Sequence, residues 1–289
     1  MVEPMNPNQP DDEQIAYWNG PRAETWVRDQ ETMDRALEPF GRAALDEAAP
    51  RASESAVDVG CGCGATTVAL AAAVGVTGSV VGVDVSAPML ERARERARGL
   101  AQVAFVAGDA ARHAFEPRAD LLFSRFGVMF FADPAAAFSN LRRALAPHGR
   151  LAFICWRALA ENVWLAVPLA AARRIVQPAG PPPPADAPGP LAFADSERVR
   201  AILERAGFAD VRFAPFDHTM PLGDGRGLDA AAEHALTLGP TARMLAAANP
   251  DEATLARVRD EIRASLAPYA VSNVVRLPAA AWIVTARRR

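Results

Sequence analysis

The sequence predicts an α/β protein built on a mostly parallel sheet, and two observations carry that prediction. From residue 55 to residue 156, short apolar runs of strand length alternate with stretches that suit helices. The first three apolar runs each end in a glycine or an acidic residue. Strands that alternate with helices pair in parallel, so their carboxyl ends share one edge of the sheet, where ligands bind. The predicted strands lie near residues 55–59, 79–84, 102–107, 119–124 and 150–156.

The first strand leads into the most informative turn of the chain. Gly60, Gly62 and Gly64 follow it directly, and residues 65–74 then suit a helix. Glycine can adopt positive φ and has no side chain to hold a ligand away, and a helix start offers unpaired amide donors. The turn therefore predicts close approach of a nucleotide-like ligand; the alternative is a tight turn with nothing bound. Asp58, inside the apolar strand, must have partners there, because a buried unpaired carboxylate is costly.

Two further acids narrow the choice of ligand. Asp84 ends the second strand about 20 residues after the turn, the spacing typical of a carboxylate that binds ribose hydroxyls; the alternative is a plain helix N-cap. Asp109 follows the third strand, where it could accept a hydrogen bond from the amine of an adenine or be a solvated turn acid. Val85 and Met89 could flank the adenine, and a core position for Met89 is the other interpretation.

As a set, these segments resemble a known family. Residues 57–64, 82–90 and 108–110 look like the first three motifs of class I S-adenosylmethionine-dependent methyltransferases. Residues 141–150 resemble the helix and turn before that family's fifth strand, except that His148 stands where a glycine is common. The resemblance covers roughly residues 55–156 and is closest to the small-molecule subgroup of the ubiquinone/menaquinone type.

The resemblance implies a fold, a cofactor and a reaction. The fold would be a Rossmann-like, seven-stranded, mostly parallel sheet with helices on both faces. The cofactor would be S-adenosyl-L-methionine, with S-adenosyl-L-homocysteine as product. The reaction would move a methyl group to an O, N or C atom of a small molecule by in-line displacement. The predicted cofactor-binding residues are Asp58, Gly60, Gly62, Gly64, Asp84, Val85, Met89, Asp109, Ala110, Ser124, Arg125 and Trp26.

No single catalytic residue is predicted, because an activated methyl donor does not require a fixed base. Arg125, His218 and His234 are the candidates. The resemblance places Ser124 and Arg125 at the reaction centre, and Arg125 could instead pair with Asp133 or a helix end.

Aromatic and cysteine side chains carry weaker signals. Trp26 lies on an amphipathic segment, where a tryptophan is more often a core residue than a ligand contact. Cys61 and Cys63 have no further metal ligands nearby, so no metal site is expected.

Two other functions share part of this pattern. An NAD(P)-dependent oxidoreductase would have the same glycine turn and the acid at Asp84. It does not account for residues 108–110, and the absence of lysine excludes a Tyr-x-x-x-Lys catalytic pair. A cofactor-binding protein without turnover would keep every motif.

Composition bounds the partners and the compartment. The net charge is −3, so no excess of positive charge favours nucleic acid or an anionic membrane. The three cysteines do not suit a disulfide framework and fit a cytoplasmic protein. We expect a small-molecule substrate, no secretory leader, and a monomer or a homodimer.

The remaining segments are expected to form a lid and a substrate cap. Residues 1–49 would be an N-terminal helical lid, and residues 50–289 the core. Insertions at residues 157–194 and 217–279 would cover the carboxyl edge of the sheet. Short strands near residues 209–213 and 280–286 would complete the sheet.

Overall fold

The computed structural model describes residues 10–115, 119–178, 180, 181 and 184–289, and its centre is one sheet. Residues 1–9 of the predicted lid lie outside the described residues. The strands are β1 (Ser55–Val59), β2 (Ser79–Asp84), β3 (Val103–Ala107), β4 (Ala119–Arg125), β5 (Leu145–Trp156), β6 (Phe208–Leu222), β7 (Ala270–Val271) and β8 (Val274–Arg288).

The strand order is β3-β2-β1-β4-β5-β8-β6, and β7 pairs with β8 beside this path. Strands β1 to β5 pair in parallel, while β8 runs antiparallel between β5 and β6. The mostly parallel sheet is therefore confirmed. The seven predicted strands form the continuous path, and the two-residue β7 makes an eighth.

The sheet reverses its winding between β1 and β4. The chain moves outward from β1 through β2 to β3, and then starts again at β4 on the other side of β1. Because parallel crossovers are right-handed, the helices of the two halves lie on opposite faces. The chain leaves the carboxyl ends of β1 and β4 toward opposite faces at this switch point, which opens a crevice where open α/β sheets bind ligands.

Eleven α-helices surround the sheet within the described residues. They are α1 (Pro10–Asn19), α2 (Pro21–Arg28), α3 (Gln30–Ala48), α4 (Ala65–Val74), α5 (Ala87–Arg96), α6 (Pro134–Ala144), α7 (Val163–Ile175), α8 (Ser196–Arg205), α9 (Gly227–Leu236), α10 (Gly239–Ala248) and α11 (Glu252–Leu266). Each helix of this part of the chain is too short or too polar to cross a bilayer.

The C-terminal part of the sheet is longer than predicted. β6 continues to Leu222 and β8 begins at Val274, so helices occupy only the middle of residues 217–279. The two strands pair from Phe208 with Arg288 to Leu222 with Val275, with one register shift between Ala209 and Arg212. This long antiparallel pairing satisfies the backbone hydrogen-bonding groups of both segments. The apolar pattern of residues 280–286 alone did not reveal how far the strands extend.

Helix α3 joins the N-terminal segment to the core. Phe40 is fully buried and contacts four aromatic rings, with centroid distances of 5.0 Å to Trp156, 5.4 Å to Phe216, 5.7 Å to His218 and 5.9 Å to Phe126. Edge-to-face contacts of this kind add to the burial of apolar area. Helix α3, the C-terminal part of the N-terminal segment, is therefore part of the hydrophobic core.

Candidate functional site

A cavity of about 1340 Å³ lies over the carboxyl ends of β1, β2, β3 and β4. One wall consists of the turns that follow these strands. The opposite wall consists of α1, α3, α7, α9, α10 and the proline-rich segment before α8. Ligand pockets usually measure roughly 300–1000 Å³. The cavity therefore has room for more than one small molecule.

The glycine turn after β1 forms the floor of the cavity, and its geometry requires glycine. Gly60 has φ +67°, and a Cβ placed on it would lie 2.8 Å from the Gly127 Cα. Gly62 has φ +53°, and its Cβ would lie 2.9 Å from the Met89 Cε. A side chain at either position would be strained by positive φ and would collide with a neighbour. The bare backbone of both residues lines the cavity.

Asp84 connects the second strand to this turn. Its Oδ2 accepts a hydrogen bond from the Gly62 amide at 2.7 Å, and its Oδ1 accepts one from the Ser86 amide at 2.9 Å. Burial raises the pKa of Asp84, against the opposing effect of these amide donors. The N-cap residue of α5 is Ser86, so Asp84 is not a plain helix cap. Because a carboxylate has about four acceptor sites, Asp84 can still accept hydrogen bonds from the cavity it lines.

The third strand adds Asp109 to the same wall. Asp109 Oδ1 accepts a hydrogen bond from the Ala111 amide at 2.8 Å. Its Oδ2 is buried without a hydrogen bond from the described residues and lies 3.8 Å from Arg112 Nε. Ala110, Val85 and Met89, the residues predicted around an adenine, also line the cavity.

Three predicted residues lie behind the cavity wall. Asp58 is fully buried, and its Oδ2 accepts hydrogen bonds from the Thr66 and Thr67 hydroxyls at 2.6 Å and 2.7 Å. Burial raises the pKa of Asp58 to about 6, and the two hydroxyl donors oppose that rise. Neither threonine was expected as a partner, although both lie in the first turn of α4, directly after the glycine turn.

Gly64 and Ser124 also support the wall from behind. Gly64 is the N-cap of α4 with φ +81°, and its Cβ would lie 2.9 Å from the Ala93 Cβ. Ser124 Oγ donates to the Val59 carbonyl at 2.7 Å and accepts from the Gly127 amide at 3.2 Å. These contacts hold the ends of β1 and β4 together. Gly127 was not predicted, although a glycine just past a strand end was a visible signal.

Arg125 lines the cavity and forms an ion pair with Asp34 of α3, not with Asp133. The Nη2–Oδ1 distance is 3.4 Å. Asp34 also pairs with Arg96 of α5 and accepts a hydrogen bond from Gln30 Nε2 at 2.6 Å. One carboxylate thus links α3 to both α5 and β4.

The N-terminal helices contact the second-strand wall through Asn19 and two tryptophans. Asn19 Nδ2 donates to the Val85 carbonyl at 2.9 Å, and Asn19 Oδ1 accepts from the Ala87 amide at 3.0 Å. Trp26 lines the cavity, where it packs against Met89 and Trp18. Trp18 meets Phe130 edge to face at 5.2 Å. The sequence predicted Trp26 but not Asn19, whose signal was the Asn-Gly-Pro break between α1 and α2.

The two candidate histidines lie in different places. His218 packs against Phe40 and Phe216 and does not line the cavity. His234 of α9 lines it, and burial lowers the pKa of its imidazole. The Gly223 amide donates to His234 Nδ1 at 3.2 Å, so the neutral ring carries its proton on Nε2, 3.4 Å from the Met33 Sδ. In this tautomer the Nε2 donor faces the Met33 Sδ and Nδ1 accepts from the Gly223 amide, so neither ring nitrogen is left as a free base.

The cysteines form no metal centre. Cys61, Cys63 and Cys155 are free and buried. Burial raises the pKa of Cys63 to about 11, so its thiol stays protonated at neutral pH. No group of three metal-ligating side chains exists in the described part of the chain.

The region that carries this wall matches a known family. Residues 56–149 match the family model described as a methyltransferase domain. The match includes the glycine turn, Asp84, Asp109 and Arg125.

Two curated relatives are similar in sequence to part of this chain. Aklanonic acid methyltransferase DauC of Streptomyces sp. (strain C5) is 36% identical over 118 residues, which are 40% of this chain and 54% of the relative. Demethylmenaquinone methyltransferase of Staphylococcus aureus is 39% identical over 100 residues, 34% of this chain and 42% of the relative. The matched region thus spans about half the length of these relatives.

Solved structures extend the likeness in fold beyond the methyltransferase domain. The YcgJ protein of Bacillus subtilis has a TM-score of 0.56 at 18% identity, over 88% of this chain and 98% of that one. Phosphoethanolamine N-methyltransferase 2 of Haemonchus contortus, solved with S-adenosylhomocysteine, has a TM-score of 0.51 at 19% identity, over 86% of this chain and 52% of that one. At this level of identity the likeness concerns the fold.

Proposed function

We propose that this protein is an S-adenosylmethionine-dependent methyltransferase that methylates an O, N or C atom of a small molecule by in-line displacement. The observation that carries the proposal is the Asp84 carboxylate, which is fixed to the Gly62 amide and lines the cavity. This geometry belongs to the region that matches the methyltransferase domain. The named activities of the two curated relatives support the same reaction.

The cavity wall fits the proposed cofactor. The backbone of Gly60 and Gly62 lines the cavity where the amino-acid end would lie. Asp84 keeps acceptor capacity for a ribose diol, and Asp109, Ala110, Val85 and Met89 would surround the adenine. When bound, the cofactor supplies a methyl group that is already activated as a sulfonium.

The chain then has to align the acceptor and exclude water, and its residues suit those tasks. Asp34 fixes the guanidinium of Arg125 at the end of β4, which gives the cavity a positioned donor beside the glycine turn. His234 lines the cavity from the cap, with its Nε2 against the Met33 Sδ. Orientation in a dry site can lower a barrier by several kcal/mol without a dedicated base.

The outlying segments serve as a cap in this proposal. Residues 10–49, 157–194 and 217–279 supply the elements α1, α3, α7, α9 and α10 that face the sheet edge across the cavity. Loops and helices at that edge commonly determine the substrate. A cytoplasmic location is also proposed, supported by three free cysteines.

The two alternatives separate by experiment, and the family match does not favour the oxidoreductase. Isothermal titration calorimetry should detect binding of S-adenosylhomocysteine and none of NADH. Radiolabelled methyl groups should then pass to one member of a panel of small phenols, quinones and amines. Binding without transfer to any acceptor in a metabolite extract supports the protein without turnover. No heat with S-adenosylmethionine or S-adenosylhomocysteine refutes the proposal.

A further inference from the structure

The cavity has two halves of opposite chemical character. The acidic lining residues are Asp34, Asp84 and Asp109, and all three lie on the sheet edge or on α3. From Leu159 onward, none of the described residues that line the cavity is acidic. This second half, the cap half, is mostly aliphatic, proline or aromatic.

Two arginines are the charged lining residues of the described cap half. Arg173 lies in the last turn of α7 and Arg243 lies on α10. Among the described residues, no ion pair or hydrogen bond engages the Arg173 side chain. Arg243 Nη1 reaches only the Pro188 carbonyl, at 3.5 Å, and pairs with no described acid. Both guanidinium groups therefore keep donors for a ligand.

The neighbouring arginine of α7 behaves differently. Arg174 does not line the cavity, and its Nη1 lies 2.5 Å from Glu261 Oε1 of α11. Arg259 and Arg263 are also paired, with Glu233 and Asp229. Position distinguishes the two lining arginines, because Arg226, Arg257 and Arg276 of the cap also form no ion pair in the described chain but do not line the cavity.

We propose that the cap half takes a hydrophobic organic acid, with its apolar body against α7 and α10 and its anionic group on Arg173 and Arg243. The inference rests on the proposed function, because it assigns this half of the cavity to the methyl acceptor. An apolar surface recognises the body by burial. A guanidinium fork matches a carboxylate or a similar oxyanion better than any neutral group of the same size.

The test uses two probes of similar size and shape, one anionic and one neutral. Binding of 9-anthracenecarboxylate and of 9-anthracenecarboxamide is measured by fluorescence titration of the full chain saturated with S-adenosylhomocysteine. The wild type should bind the carboxylate about tenfold more tightly than the carboxamide. The double variant Arg173→Gln/Arg243→Gln should lose this preference and keep its affinity for the carboxamide. The matched control Arg174→Gln/Arg257→Gln removes two exposed cap arginines that do not line the cavity, and it should keep the preference.

Each outcome decides the inference. It is overturned if neither probe binds, if the carboxylate binds no better than the carboxamide, or if both double variants lose the preference alike. The affinity of each variant for S-adenosylhomocysteine, measured separately, shows that the fold is intact. A charge preference without any S-adenosylhomocysteine binding would refute the proposed function and leave the anion site standing.

Discussion

The sheet-edge wall and the cap wall of the cavity are built on different principles. The sheet-edge wall consists of Gly60, Gly62, Asp84 and Asp109, whose positions are fixed by backbone amides over distances of 2.7–2.9 Å. The cap wall consists of side chains on helices, which pack by apolar contacts and are joined to one another by exposed ion pairs. The first arrangement specifies one shape. The second can change with substitutions at a few side chains, as a substrate pocket requires.

The two walls meet at few polar points. Asn19 joins α1 to the loop after β2, and Asp34 joins α3 to Arg96 and Arg125. The closing contacts of the cavity are therefore separate from the contacts that shape its floor. A substitution can therefore weaken the contacts that close the cavity without weakening those that shape its floor, or the reverse. Four substitutions test this separation, in order of the size of the expected effect.

The largest effect is expected for Gly60→Val, on the floor. A β-branched residue at φ +67° would be strained, and its Cβ would meet the Gly127 backbone at 2.8 Å. We expect a loss of at least about 4 kcal/mol of unfolding free energy, measured by urea denaturation, and no S-adenosylhomocysteine binding. Gly99→Val is the matched control, because Gly99 has φ +86° with no atom within 4 Å of its Cβ position. Equal losses in both variants would mean that strain alone acts and that the contact with Gly127 is unimportant.

The next effect concerns the buried acid behind the floor. The folded state holds the Asp58 proton up to about pH 6, whereas the ordinary value is 3.8. The folded state therefore binds more protons than the unfolded state between these values, and the contribution of this group to stability falls as pH rises from about 4 to 6. Asn mimics the protonated acid. The unfolding free energy of Asp58→Asn should therefore rise relative to that of the wild type by about 2 to 3 kcal/mol over that range.

Paired denaturation curves of the ligand-free protein at pH 4, 5, 6 and 7 measure this gain. Asp210→Asn, at an exposed position, controls for the loss of one negative charge. A stability difference between Asp58→Asn and wild type that stays constant with pH would contradict the raised pKa.

Asp84→Ala tests the sheet-edge wall for recognition of the ligand. We expect S-adenosylhomocysteine affinity to fall by about 2 kcal/mol, because ribose hydroxyls would lose a buried acceptor. The Gly62 amide loses its partner as well, so the loss alone does not identify the contact. A 2′,3′-dideoxy analogue of S-adenosylhomocysteine completes a double-mutant cycle. If the analogue loses as much affinity to the substitution as the parent compound does, Asp84 does not bind the ribose.

The same division between walls explains what the sequence revealed. The structure gives β1, β2 and α4 the predicted boundaries, because glycines and acids mark each change of conformation along the chain. The sequence did not predict the polar contacts between the two walls. Asn19 contacts a residue 66 positions away in the chain, and Asp34 contacts one 91 positions away. No local pattern encodes such contacts.

The site was foreseen only where it is made of local backbone motifs. Asp84 and Gly62 are 22 positions apart, yet the turn and the strand end that hold them are each recognisable alone. Arg173 and Arg243 differ, because an arginine on a helix gives no sign of whether it faces an acid or a cavity. That distinction depends on which helix packs opposite, and hence on the complete fold.

Asn19→Ala should give the smallest effect, at the joint between the walls. It removes two hydrogen bonds to the loop after β2, but Asn19 is exposed, so we expect a loss of only about 1 kcal/mol. Hydrogen exchange should show faster opening of α1 with unchanged protection of β1, since local stability differs across a structure. Asn19→Asp keeps the acceptor for the Ala87 amide, so its stability should lie between those of the wild type and Asn19→Ala. If β1 loses protection together with α1, the cap and the sheet edge open as one unit, and the separation drawn between the two walls is wrong.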